Sequence, residues 1–480
     1  MRLNKKIQND DFITLDYERI RQNVKDNIEI AAPQKNTYFH KNLKYGIISL
    51  SFLIVILIGV IFIPKITNKP DDYLCYQAAS KREIKYSDTK EEGYLNFLDK
   101  LDTFSAKISA EIFNEYKEVE ENYVISPISL YMGLAMLVES TSGPAREEIL
   151  NALGMTYKEV EKYTSILYSK MNDTTSSRSF YGTKKTTFQE ILTNSIWIDD
   201  NIELKEEGLL ALANKYHCSS YSAPFYNNNK KANRAIKDYV SKQTKGLINQ
   251  NFNLDKETLF TLINTYYLKD LWNYDGDDLP FSKTNYLFNN LIEKPFLQGY
   301  YKSGKTYETE NARHFFTSTY GNIKIKFIIP KDGYNINDIY NEELIKSINN
   351  IKDYLEVDYE REENNFTRCI FPEFEASFDE SIESIYMQKL GLNKVFTNPD
   401  SFAPLTDESA ILGSVKHVAK LKVDKKGIEG AAVTIEPAAG ASGPGEFTKV
   451  YYDFIVDKSF IVIVTDPDNV TLFSGVIYNI

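Results

Sequence analysis

From Leu95 onward the chain alternates stretches of helical and of strand-like apolar spacing. Phe97, Leu101, Phe104, Ile108 and Ile112 share one face, which predicts a core helix at the start of a domain. Asn122–Leu130 reads as a short apolar strand leading into a Ser-Pro helix start. The helix that follows, Ile128–Glu139, is apolar almost all round and is expected to be buried. Further helices are predicted over Pro144–Leu153, Lys205–Tyr216, Ala232–Thr244 and Ser381–Gly391. Strands are predicted over Leu192–Asp199, Ile323–Pro330, Tyr354–Asp358, Ile370–Phe374, Val415–Val423 and the long run Val450–Thr465. Thr258–Leu268 is largely apolar with Asn264 inside it; a buried amide must find partners, so Asn264 is a structural node or part of a site. Helices and strands mix without regular βα alternation, and the fold class is α+β with a dominant sheet.

Two stretches break this pattern. Gly46–Ile63 carries no charge, is closed by Pro64 and is long enough to cross a bilayer. The expected organisation is therefore a tail over 1–45, an anchor over 46–64, a polar spacer over 65–94 and a large domain over 95–480. Lys35, Lys41 and Lys44 ahead of the apolar run favour the N-terminus inside, which puts the large domain outside the cell as a single-pass membrane protein. The second stretch is Val423–Lys449, mostly small residues between two strand-like runs. It has no apolar period, and loops this long inside a domain are usually functional or disordered. Its first half, Gly427-Ile428-Glu429-Gly430-Ala431-Ala432-Val433-Thr434, has no proline and several β-branched residues, so it is able to join a sheet as a strand.

Composition narrows the function. The chain has 480 residues, 42% of them hydrophobic, and a net charge of -11, which argues against a nucleic-acid partner. Its three cysteines, Cys75, Cys218 and Cys369, make no disulfide framework, and four histidines without an HExxH motif point to no metal and no cofactor. Gly440-Ala441-Ser442-Gly443-Pro444 misses the G-x-S-x-G pattern of a hydrolase, because Pro444 replaces the last glycine. His417 and Ser442 leave two readings open, a triad or a hydrogen-bonded structural histidine at 417; the family resemblance below favours the second and implies that the chain is not an enzyme.

Several segments resemble the serpin family. Asn122–Leu137 is similar to the segment leading into the family's central buried helix, Leu192–Asp199 to its first long central strand and Leu262–Trp272 to its asparagine-bearing strand. Lys416–Ala432 resembles the hinge and Val456–Val464 the C-terminal signature, so the likeness runs in order from about Leu95 to Ile480. The resemblance, to a membrane-anchored, prokaryotic-type member, implies a suicide-substrate inhibitor, monomeric, of a serine or cysteine protease. A protease cleaves the exposed loop, the loop enters the sheet as a new strand, and the trapped protease is deformed. The resemblance implies a shutter of Ser126, Ser129, Asn264 and His417, and a breach with Trp272. It makes Gly427 the hinge glycine, within a hinge running from Lys425 through Ile428, Glu429, Gly430, Ala431 and Ala432. It puts the reactive bond at Ala441–Ser442, where small side chains suit an elastase-like or subtilisin-like enzyme. If alternation holds, Ile428, Gly430, Ala432 and Thr434 face inward after insertion and Glu429 outward into solvent. Two departures oppose full insertion: Glu436 would be buried, and Pro437 removes a ladder bond. They motivate an alternative, a non-inhibitory, membrane-tethered binding protein. Finally, Lys425 stands where the family usually has an acid, and Glu373 where its basic partner is expected, so a Lys425–Glu373 pair of reversed polarity is predicted.

Overall fold

The computed structural model describes residues 70–172, 175–180, 183–272, 281–302, 306–350, 366–413, 415–429 and 450–480. The chain divides into two compact units, Met1–Asp72 and Tyr73–Ile480. Of the first, only Pro70–Asp72 are described; Gly46–Ile63 and the strand expected over Tyr354–Asp358 lie outside the described residues. Among the described residues no helix is long and apolar enough to cross a membrane.

Among the described residues the second unit has an α+β fold organised around three sheets. The largest contains β1 Leu74–Tyr76, β3 Thr175–Phe180, β4 Thr183–Asp199, β5 Cys218–Ala223, β6 Phe260–Leu271, β13 Phe374–Ser381, β14 Lys416–Asp424 and β15 Gly427–Glu429. Its order is β1-β5-β4-β6-β15-β14-β13, with β3 paired to β4 off this path. A second sheet holds β2 Tyr123–Ile125, β9 Thr306–Glu308, β10 Ala312–Ser318, β11 Lys324–Pro330, β17 Phe460–Thr465 and β18 Thr471–Ile477. The third holds β7 Ser282–Phe288, β8 Ile292–Lys302, β12 Phe366–Pro372 and β16 Val450–Ile455. The run Val450–Thr465 is thus two strands in two sheets rather than one, broken between Ile455 and Phe460.

The helices are α1 Glu92–Tyr116, α2 Pro127–Ser140, α3 Gly143–Leu153, α4 Tyr157–Met171, α5 Glu206–Tyr216, α6 Phe225–Gln243, α7 Ile336–Ile339, α8 Glu342–Asn350, α9 Glu383–Gln388 and α10 Lys394–Thr397. α1 buries the predicted face of Phe97, Leu101, Phe104, Ile108 and Ile112. α2 begins at Pro127 behind Ser126, whose carbonyl accepts from the Leu130 N–H at 3.1 Å. It is buried almost all round, as its uniform apolarity requires. The main core fills one face of the large sheet; a smaller core on the other face, with Trp197, Tyr221, Phe225, Ile236, Tyr239 and Ile263, lies under α6.

The segment expected as a polar spacer is packed from Tyr73 onward. β1 pairs antiparallel with β5, the Ala79 N–H donates to Ala213 O at 3.1 Å, and the Arg82 N–H donates to Ser169 Oγ at 3.1 Å. A strand of three residues has no periodicity to show in the sequence, and its apolar partners lie far along the chain.

Candidate functional site

The candidate site is the gap in the large sheet between β6 and β14. A tight turn feeds the chain into it, held by four polar contacts. The Lys426 N–H donates to Asp424 Oδ1 at 2.8 Å, and the Lys425 N–H to Glu373 Oε1 at 2.9 Å. The Trp272 indole N–H donates to the Asp424 carbonyl at 2.8 Å, and its backbone N–H to the Lys426 carbonyl at 3.2 Å. Trp272 is fully buried, edge-on to Phe281 and Phe371 at 5.2 and 5.9 Å between ring centres.

Beyond this turn Gly427–Glu429 is already a strand, antiparallel to both neighbours. Gly427, Ile428 and Glu429 face Leu271, Asp270 and Lys269 on β6, and Asp424, Val423 and Lys422 on β14. Only glycine fits at 427, since a Cβ there would sit 2.0 Å from the Asp270 carbonyl oxygen. Ile428 points into the core and is 1% exposed. Glu429 takes the opposite face, as alternation requires, but is not simply solvated. It lies between Lys422 and Lys269 and pairs with Lys269 at 3.2 Å, and burial holds its carboxyl above the usual range while Lys269 pulls it back.

Below these three residues β6 and β14 are not paired with each other. A cavity of about 70 Å³ opens between them, lined among others by Ser129, Leu262, Asn264, Val415 and His417. Leu262 and Asn264, although on the core-facing side of β6, are only partly buried, because no described strand covers that edge.

Of the four expected shutter residues, Ser129, Asn264 and His417 line this cavity and Ser126 joins them through His417; together they form two linkages. The Ser126 N–H donates to His417 Nε2 at 3.1 Å, so that nitrogen carries a lone pair and the proton sits on Nδ1. Burial pushes the imidazole down to about 3, so the ring is neutral and its basic nitrogen is already occupied. The Ser126 hydroxyl itself has no hydrogen-bond partner among the described residues. Separately, the Ser129 hydroxyl donates to Asn264 Oδ1, while Asn264 Nδ2 donates to Asn194 Oδ1 at 2.6 Å and to the Thr193 carbonyl at 3.2 Å.

The expected ion pair between Lys425 and Glu373 is not formed. Glu373 meets Lys425 through its backbone N–H, and its ion pair is with Lys283 at 2.8 Å. The turn presents the amide rather than the ammonium to the carboxylate, a choice that charge pattern alone does not encode. Gly430, Ala431, Ala432, Glu436, Pro437 and the bond Ala441–Ser442 lie outside the described residues.

One residue of the site escaped the sequence reading. Asp270 is fully buried directly beneath the seated hinge and accepts from the Thr319 hydroxyl and, at 2.9 Å, from the Gly321 N–H. Burial pushes its carboxyl up to about 7. The signal for it was an acid on the core-facing side of a largely apolar strand, the same side as Asn264.

The family model for serpin (serine protease inhibitor) matches residues 100–480. The chain belongs to the serpin family. This serpin is 24% identical over 375 residues to alpha-1-antiproteinase of Callosciurus caniceps, covering 75% of this chain and 83% of that one. It is 23% identical over 392 residues to Serpin-Z1C of Triticum aestivum, covering 78% and 94%. Among solved structures, a thyroxine-binding globulin complex with thyroxine shares the fold with a TM-score of 0.63 at 19% identity, covering 79% of this chain and 98% of the other. The native-state structure of the thermophilic serpin tengpin does so with a TM-score of 0.60 at 20% identity, covering 86% and 98%. The serpin fold, with its large sheet and surrounding helices, agrees with the α+β class expected from periodicity.

Proposed function

We propose that this serpin is a suicide-substrate inhibitor of a serine protease. In this reading the loop is cut at Ala441–Ser442 and residues 427–441 become a strand between β6 and β14. The observation that carries it is the seated hinge above a gap in the sheet that no further described strand fills. Continuing the register of Gly427–Glu429 brings Gly430 opposite Leu268 and Leu421, and Ala432 opposite Tyr266 and Ala419. Thr434 would then arrive between Asn264 and His417, where its hydroxyl would meet two polar side chains already lining the cavity. The same register takes Ile435 to the end of β14 at Lys416, so Glu436 and Pro437 fall beyond that strand and face β6 alone. Their penalty is confined to the bottom of the gap. A dozen or so new ladder bonds at ~1 kcal/mol net each would rival the ~5–15 kcal/mol stability of a domain, which makes insertion effectively one-way.

His417 has no part in chemistry under this reading. Its Nε2 is engaged by a backbone donor, and it serves to order the sheet around the gap.

Incubation with elastase or subtilisin tests the proposal. An inhibitor yields an SDS-stable covalent complex and a released fragment beginning at Ser442. Cleaved loop without complex would instead favour the non-inhibitory binding protein, for which Glu436 on the inward side of the register is the motivating feature.

The apolar run Gly46–Ile63 supports a single-pass anchor that leaves the inhibitory domain outside the cell. Retention of the full chain in membranes after alkaline carbonate washing, with the domain sensitive to protease added to intact cells, checks both parts.

A further inference from the structure

α6 is strongly basic on an acidic protein. Phe225–Gln243 carries Lys230, Lys231, Arg234, Lys237 and Lys242 against the single acid Asp238, while the whole chain has a net charge of -11. Asn228, at φ -153° and ψ 71°, breaks the helix near its start, so the regular stretch begins after it. Within that stretch Lys230, Arg234 and Lys237 follow one another at four and three residues, forming one stripe. The opposite side of the helix, with Ala232, Ala235, Ile236, Tyr239 and Val240, is buried against the sheet. The basic stripe therefore faces away from the domain. Acids do little to quench it: the Arg234–Asp238 pair is 3.9 Å apart with side chains 71% and 43% exposed, and Lys237 donates to Asn251 rather than to a carboxylate. Tyr226, 66% exposed, stands at the near end of the helix.

Where this helix lies relative to the start of the second unit gives the stripe its meaning. Tyr73 and Leu74 pack into the small core beneath α6, and the Lys231 ammonium sits 5.5 Å from the centre of the Tyr73 ring. β1, starting at Leu74, is hydrogen-bonded to the edge of the sheet. The chain thus enters the domain alongside the basic helix. Only Pro64–Asp72 separate that entry point from the apolar run ending at Ile63. Even fully extended those residues span roughly 30 Å, comparable to the ~28 Å length of α6 itself.

We propose that the exposed face of α6 docks on the anionic phospholipid headgroups of the bilayer that holds the anchor, fixing the domain's orientation on the membrane. This rests on the reading of Gly46–Ile63 as that anchor. The short tether keeps the stripe within reach of the surface potential, and Tyr226 suits the interfacial layer that favours amphipathic aromatic rings. Each basic residue near an anionic surface improves partitioning about fivefold, so removing three should reduce the docked population roughly hundredfold.

The test uses the full chain reconstituted into vesicles of phosphatidylcholine with or without about a third phosphatidylglycerol, with a quencher on the lipid headgroups. One dye is placed on Asn227→Cys in a Cys75→Ser background, and a second sample is labelled at the native, exposed Cys75 beside the tether. Docking gives strong quenching of the position-227 dye only in anionic vesicles. It should be lost in the triple variant Lys230→Glu, Arg234→Glu, Lys237→Glu, and in about 0.5 M salt, where the Debye length falls to roughly 4 Å. Quenching at Cys75 without quenching at position 227 would leave the anchor standing and overturn the docking. A chain that fails to incorporate into vesicles at all would remove the anchor, and the docking with it. Equal quenching in both lipids, unchanged by charge reversal, would show proximity without headgroup recognition and also overturn it. Binding of heparin or RNA by the helix with no lipid dependence would assign the stripe to a soluble polyanion instead.

Discussion

Replacing Gly427 by alanine should unseat the hinge, and the size of the effect follows from its surroundings. The new Cβ would lie 2.0 Å from the Asp270 carbonyl oxygen and 2.8 Å from the Leu271 Cα. Both are backbone atoms of a strand paired to β4 on its other side, so neither can swing away. The hinge must lift out instead. That loses about four ladder bonds at ~1 kcal/mol each and roughly 2 kcal/mol of burial for Ile428. Against this, three residues regain backbone freedom at ~1–2 kcal/mol each. The net penalty is thus ~0–3 kcal/mol, about 1.5 at the middle of that range, a shift of roughly tenfold in the seated-to-lifted ratio. A melting curve is a blunt instrument for so local a change in so large a domain. Hydrogen–deuterium exchange resolved by mass spectrometry is the better assay. Peptides covering Lys269–Trp272 and Asp424–Glu429 should lose protection by about that factor while α2 is unaffected. Unchanged protection in those peptides would refute the argument that glycine is required by close approach.

Three further outcomes follow from the same geometry. His417→Ala leaves the buried Ser126 N–H without its acceptor at a cost of about 1–3 kcal/mol and should raise the polymer fraction on gel filtration; because the folded imidazole titrates at about 3, well below its ordinary value, wild-type stability should fall as pH drops from ~6.5 toward 3, and His417→Gln should flatten that fall. Asp270 acts in the opposite sense: its folded carboxyl titrates at about 7, above its ordinary value, so it keeps its proton where the unfolded chain has lost it, and stability should decline as pH rises from ~4 to 7 in wild type but not in Asp270→Asn, a comparison made by thermal melts across that range. A double-mutant cycle in melting temperature should find coupling between Glu373 and Lys283 of ~0–1 kcal/mol and none between the side chains of Glu373 and Lys425, whereas Glu373→Ala alone should loosen the turn by losing the acceptor for the Lys425 N–H.

The sequence by itself determined which faces would be buried, because burial follows from spacing within one element. The face of α1, the all-round apolarity of α2 and the alternation that turns Ile428 inward could each be read without knowing what they pack against. Asn264 could be singled out for the same reason: an amide in an apolar strand demands partners wherever the strand lies. Tertiary structure alone decided which partners those are, since they come from distant parts of the chain. Ser126 and His417 are 291 positions apart, and the choice of Lys283 rather than Lys425 for Glu373 depends on which way a turn presents its amide. The division of Val450–Thr465 between two sheets, the three-residue strand β1 and the depth of Asp270 are likewise matters of neighbours. A one-dimensional pattern records how often a side chain must be hidden. It carries no term for the strand, five or fifteen elements away, that does the hiding.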